Sequence, residues 1–134
     1  MKKLILMALL MLIIFTFSAC RTAEPTLMGF YQGQQYINGY IVQISFFRDD
    51  HSFIQYIDNR EVDRGSYQKV EDNIYRIQSD QQDFDIQLNK DNTFDLYIKK
   101  INNEEPIVMQ NISKVPTTFG TPFDDVEEYK KLIN

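Results

Sequence analysis

Between Gly29 and Ser113, apolar and polar residues alternate with a period of two in short runs, and turn-forming residues interrupt the runs at regular intervals. That is the pattern of antiparallel strands with one face on a core. Two runs carry it most cleanly. Phe84, Ile86 and Leu88 point one way with Asp83, Asp85 and Gln87 opposite, and Phe94, Leu96 and Ile98 repeat this against Asp95, Tyr97 and Lys99. Asn38-Gly39 is the favoured dipeptide of a two-residue type I′ hairpin. Pairing about it sets Ile37 opposite Tyr40, Gln35 opposite Val42, Gly33 opposite Ile44 and Tyr31 opposite Phe46. One face of this hairpin is then largely apolar. The other carries Gln32, Gln34, Tyr36, Ile41, Gln43, Ser45 and Phe47 and is more polar.

Further strands are expected at Phe53 to Ile57, Val62 to Val70, Ile74 to Gln78 and Pro106 to Ser113, the proline standing at a strand start where it is tolerated. The fold class this predicts is all-β: an eight-stranded antiparallel meander. Closing eight strands into a barrel removes the edges that invite aggregation. The expected architecture is therefore a small barrel that resembles the lipocalin-like class, and an open two-layer β-sandwich is the alternative. No motif of that class accompanies the resemblance, since the chain has no tryptophan and reads Gly29-Phe30-Tyr31 near the first strand. Strands of about 7–8 residues are short for a deep cup, so the interior is expected to be packed. Past a loop from Val115 to Gly120, Thr121-Pro122 followed by Asp124 and Asp125 reads as a helix start. Phe123, Val126, Tyr129 and Ile133 form an apolar stripe, predicting one C-terminal α-helix over about 122–133 docked on the barrel.

The first residues follow a different rule. Lys2 and Lys3 precede an apolar run of 14 residues from Leu4 to Phe17, short of the roughly 20 that span a bilayer as a helix. Ser18, Ala19 and Cys20, the chain's single cysteine, follow. This stretch resembles the signal peptide and lipobox of bacterial lipoproteins, with Phe17 standing where that family usually carries an aliphatic residue. The resemblance implies a signal peptide over 1–19, removed after a diacylglycerol is attached to the Cys20 sulfur. It covers these 20 residues alone. An uncleaved N-terminal anchor helix is the other reading. Either way the domain is expected on the extracytoplasmic face of the cell membrane, tethered to it. Residues 20–27 would be the lipidated cysteine and a short linker, and 28–134 the folded domain.

Charge sharpens this. Without residues 1–19 the chain keeps 12 Lys and Arg against 19 Asp and Glu, a net charge of −7. Such a domain is no electrostatic partner for nucleic acid or for an anionic lipid surface, so membrane affinity must come from the acyl chains. With Cys20 acylated no disulfide is possible, and packing alone must hold the fold.

Candidate chemistry is sparse. His51, the lone histidine, lies in the polar turn Arg48-Asp49-Asp50-His51 and reads as solvated. One histidine and one cysteine cannot build a zinc or copper site, and Asp49-Asp50 and Asp124-Asp125 lack the spacing of a calcium loop. We expect no catalytic set, no metal and no cofactor. Gly29 to Tyr40 (GFYQGQQYINGY) instead has the Tyr, Gln, Gly and Asn composition of binding loops. Tyr31, Tyr36, Tyr40 and Phe47 are its candidate binding residues, unless the C-terminal helix covers that outer face. The function expected is a non-enzymatic binding or interaction role at the membrane surface, of the immunity or inhibitor kind, toward a protein partner. The alternative is a carrier holding a small apolar molecule or lipid inside the barrel.

Overall fold

The computed structural model of the protein describes residues 23–134. The predicted signal peptide and Cys20 lie outside the described residues. Strands β1 (Gly29–Gly33), β2 (Val42–Phe47), β3 (Ser52–Ile57), β4 (Arg60–Glu71), β5 (Ile74–Gln78), β6 (Asp83–Gln87) and β7 (Thr93–Leu96) follow one another. A single-turn helix α1 (Lys99–Asn102), strand β8 (Ile107–Ser113) and helix α2 (Val126–Lys130) complete the chain. The eight strands form one antiparallel sheet in the order β6-β5-β4-β3-β2-β1-β8-β7, curled into a nearly closed barrel.

Tight turns explain most of this order. Asn38 and Gly39 both have positive φ (52° and 85°), as a type I′ turn demands, and Ile37 and Tyr40 exchange backbone hydrogen bonds of 2.9 and 3.0 Å. Asp58 and Asn59 do the same at φ 49° and 68° between β3 and β4. Asn and Asp tolerate this region because their short side chains hydrogen-bond locally.

The first hairpin differs from expectation beyond its turn. Tyr31 pairs with Ile44 and Gly29 with Phe46, two residues off the predicted register. The cause is Gln34, whose N–H bonds Val108 O of β8 at 3.0 Å and pulls residues 34–36 away from β2. A slip of two keeps every side chain on its predicted face.

Inward residues from all eight strands fill the barrel. Tyr31, Phe46, Phe53 and Phe94 are fully buried, with ring centroids 5.7 Å apart for Tyr31–Phe46, 5.1 Å for Tyr31–Phe94 and 6.1 Å for Phe46–Phe94. The two pairs of Phe46 are edge-to-face, a geometry that adds about 0.5–1.5 kcal/mol per pair beyond area burial. Ile44, Ile57, Ile77, Ile86, Leu96 and Met109 pack around them.

Glycine matters at two close approaches. A Cβ on Gly29 would lie 2.1 Å from Ser113 O, and one on Gly65 would lie 2.0 Å from Gln78 O. At Gly65 the twelve-residue β4 changes partners: its first half pairs with β3, its second with β5 from Ser66 onward.

Three further expectations change. β6 and β7, the cleanest pair in the sequence, lie beside each other but share no ladder among the described residues; the turn between them is closed by Asn89 N–H to Thr93 O (2.8 Å). Their alternation is nonetheless as read, with Ile86, Leu88, Phe94 and Leu96 buried. The chain after Leu96 leaves the sheet and forms α1 instead of a longer strand. The C-terminal helix spans Val126–Lys130 and not 122–133. Asp125 is recruited away from a capping role by Arg60, whose Nε and Nη2 reach its two carboxylate oxygens at 3.0 and 2.9 Å. Phe123, expected inside the helix, lies under the same guanidinium, 3.9 Å from Cζ to the ring centroid.

Residues 114–125 run as an extended strap across the outside of β1–β3. Ser45 Oγ donates to Thr117 O (2.6 Å) and accepts from Thr117 N–H (2.9 Å). Phe119 wedges between Phe30 and Tyr56, at 6.0 and 4.9 Å between ring centroids. The outer face of the first hairpin is thus covered, chiefly by the strap and not by the helix.

Candidate functional site

The four aromatic residues singled out by composition do not converge. Tyr31 points into the barrel, its hydroxyl donating to Asn92 Oδ1 at 2.6 Å, and burial pushes its phenol up to about 12. Tyr36 is exposed on the hairpin. Tyr40 packs edge-on against Tyr129 of α2 at 6.0 Å. Phe47 is half-buried at the opposite end of β2. Period two already separates Tyr31 from Tyr36, Tyr129 takes up Tyr40, and Phe47 stands at the far end of β2, so the four share no common face.

One member of each acidic pair is also spoken for. Asp50 accepts from Ser52 Oγ (2.6 Å) and Ser52 N–H (3.1 Å), which lowers its carboxyl below the usual range. Arg60 holds Asp125 low in the same way. His51, exposed at φ 54°, leans on Tyr67 with 5.7 Å between ring centroids.

A polar cluster that the sequence did not flag sits on the inner wall instead. Gln55, fully buried, lies between Phe53 and Ile57 on β3 and directly opposite Asp63 of β4, itself buried. Asp63 Oδ1 accepts Arg64 N–H (2.9 Å), and Oδ2 accepts both Ser79 Oγ and Gln82 Nε2 at 2.6 Å. Gln82 Nε2 also donates to Gln55 Oε1 (2.9 Å). Both Gln82 amide hydrogens are therefore spent, and Gln55 must present its oxygen to them. This leaves Gln55 Nε2 buried with no hydrogen-bond partner among the described residues.

The cluster bridges a gap in the sheet. The first half of β4 has no strand beyond it on the β5 side, and the turn at Ser79–Gln82 fills that place through Asp63. Two adjoining hollows flank the bridge and share Arg64 and Asp80. One, of about 650 Å³, runs over Gly65 between Ile54 and Gln78 on the outer wall; the other, of about 260 Å³, lies beside Glu61, Gln81 and Lys130.

Chemically the cluster is a brace. Ser79 Oγ gives its proton to Asp63 and accepts Gln81 N–H (3.1 Å) and Gln82 N–H (3.0 Å), so its lone pairs are engaged and it is no nucleophile. One signal in the sequence marks this site: Gln55 has the parity of Phe53 and Ile57, so alternation alone assigns it inward.

No family model, no curated protein and no solved structure matches the chain.

Proposed function

We propose that the protein is a lipid-anchored, extracytoplasmic lipoprotein whose barrel is a non-enzymatic interaction module acting at the membrane surface, of the immunity or inhibitor kind. The observation that carries the choice of an interaction module over a carrier is the filled interior. Tyr31, Phe46, Phe53 and Phe94 occupy the volume in which a carrier of this architecture would hold cargo. Recognition then falls to the outer surface, where a hollow of about 650 Å³ runs along β3, β4 and β5. A non-enzymatic role is supported by Ser79 being locked into a turn and by His51 standing alone in another.

Native mass spectrometry of the full chain extracted in detergent tests this. The expected species starts at Cys20, carries a diacylglyceryl modification, and binds a protein partner with no apolar small molecule. A stoichiometric lipid or apolar ligand inside the barrel would overturn the choice. Replacing Cys20→Ala is expected to leave an unprocessed precursor or to release the domain; retention of a processed, unacylated domain on the membrane would refute the anchor.

A further inference from the structure

The antiparallel barrel has two ends, and the linker emerges from only one of them. Leu27 sits in that mouth, 1% exposed, with its N–H donating to Tyr75 Oη at 3.3 Å. The turns that ring this mouth lie at 48–51, 69–73, 88–92 and 112–115. We infer that this rim is a lipid-contacting surface: the barrel stands on the bilayer with the mouth at Leu27 facing the headgroups and the α1 end pointing away. The inference rests on the tethered-lipoprotein reading and adds to it an orientation and a contact surface.

Three observations carry it. The first is reach. Leu27 lies seven residues on from Cys20, at most about 25 Å when fully extended. Turning the barrel over would require the linker to run back along the wall, and six-residue β2 alone rises about 20 Å. Almost no chain would remain. The second is exposed apolar surface. The large aliphatic side chains exposed among the described residues, Val70 on β4 and Ile112 and Val115 at the end of β8, are 44%, 51% and 69% exposed and stand on opposite sides of this same rim, whereas the other end exposes the tyrosines Tyr36 and Tyr97. Ile112 is extruded there by the β-bulge opposite Phe30–Tyr31. The third is charge. The four rim segments hold four Lys and Arg against five Asp and Glu, whereas the rest of residues 28–134 holds seven against thirteen. The near-neutral rim approaches an anionic bilayer with little repulsion, and most of the net negative charge lies on the walls and the other end.

The chain has no tryptophan, so an introduced one reports alone. Ile112→Trp, Val115→Trp, Tyr36→Trp and Tyr97→Trp are made in the full acylated chain. Each is reconstituted into phosphatidylcholine–phosphatidylglycerol vesicles whose acyl chains are brominated. The expected result is blue-shifted emission and about twofold or greater quenching for the two rim variants over the two far-end variants, as for side chains at the headgroup–acyl boundary. Equal quenching, or stronger quenching at Tyr36→Trp and Tyr97→Trp, overturns the orientation. The mass of the same samples separates the two readings. An acylated chain with unquenched rim variants sinks the orientation alone, and a chain bearing no lipid on Cys20 sinks the anchor and the orientation with it.

Discussion

Phe46→Ala tests the filled interior most directly. The ring is fully buried and meets Tyr31, Tyr67 and Phe94 edge-on at 5.7, 5.1 and 6.1 Å. Truncating it removes the transfer free energy of the ring, strips one partner from each of three aromatic pairs and leaves a hole. Replacements of this kind cost about 3–5 kcal/mol, a large share of the roughly 5–15 kcal/mol that holds a domain together. With a urea dependence of about 1–3 kcal/mol per molar, the unfolding midpoint should fall by about 1–5 M. The hole is on the order of 100 Å³ or more, and apolar cavities of that kind stay dry and take up benzene. Urea denaturation of wild type and variant, each with and without benzene, is the assay. Benzene should raise the midpoint of Phe46→Ala and leave wild type where it was. A loss below about 1 kcal/mol would refute the packing argument. So would a wild type that benzene stabilises equally, because the interior would then already hold room for a ligand.

The brace makes different predictions for its two ends. Gln55→Met removes the unpartnered Nε2 but also strands one Gln82 amide hydrogen, so the two effects offset and thermal melts should shift by less than about 2 kcal/mol, whereas a larger loss would mean that Nε2 is engaged. Asp63→Ala strands three donors and should cost at least about 1–3 kcal/mol. Asp125→Asn should loosen the strap and speed pepsin cleavage within 114–125. Because the Asp125 carboxyl is held below its ordinary 3.8, the latch to Arg60 is intact above that pH and is lost as pH falls through the depressed range. Wild-type cleavage should climb there and the variant's should not; parallel profiles would count against the latch. Tyr31 should resist ionisation until about pH 12 in an ultraviolet alkaline titration, and Tyr31→Phe should remove that late component. Its raised folded value means that the stability it confers is complete below the ordinary 10.0 and is lost as pH climbs toward 12.

What the sequence made legible were features decided within a few residues. Asn38-Gly39 announces its turn because two positive φ values leave little choice of residue, and period two assigns Tyr31, Phe46, Ile86 and Phe94 to the inside. What stayed hidden was decided by partners far along the chain. The two-residue register slip depends on Gln34 finding Val108, 74 residues away. The missing β6–β7 ladder is invisible in two runs whose alternation is flawless, since alternation reports burial and says nothing of backbone pairing. Phe123 belongs to the helical stripe by spacing, yet Arg60, 63 residues earlier, offers its guanidinium as a competing surface. The residues of the expected binding face, Tyr31, Tyr36, Tyr40 and Phe47, part because period two turns Tyr31 inward and Tyr129 takes Tyr40, while a proline- and threonine-rich stretch that reads as loop became the cover of β1–β3.

That cover changes what the polar positions of β1–β3 mean. In β2, Val42, Ile44 and Phe46 face the aromatic core while Gln43 and Ser45 face outward, yet Gln43 is 4% exposed and Ser45 0%. Outward polarity in these strands is therefore no mark of solvent. Each polar group has a specific partner: Gln43 Nε2 donates to Gln32 Oε1 (3.3 Å) and Asn59 Oδ1 (2.9 Å), its oxygen accepts Asn59 N–H (3.0 Å), and Ser45 takes both bonds of Thr117. β6 has the same alternation with Asp83 and Asp85 exposed, because none of the described residues crosses its outer side. The difference lies in the residue types. A short hydroxyl or an amide can be satisfied by one crossing backbone segment, whereas an aspartate would bring an uncompensated charge. Uncharged small polar residues at every outward position of a strand are thus compatible with a second covering layer, and paired aspartates argue against one. On that criterion Gln43 and Ser45 already permitted the strap, and Asp83 and Asp85 already excluded it from β6.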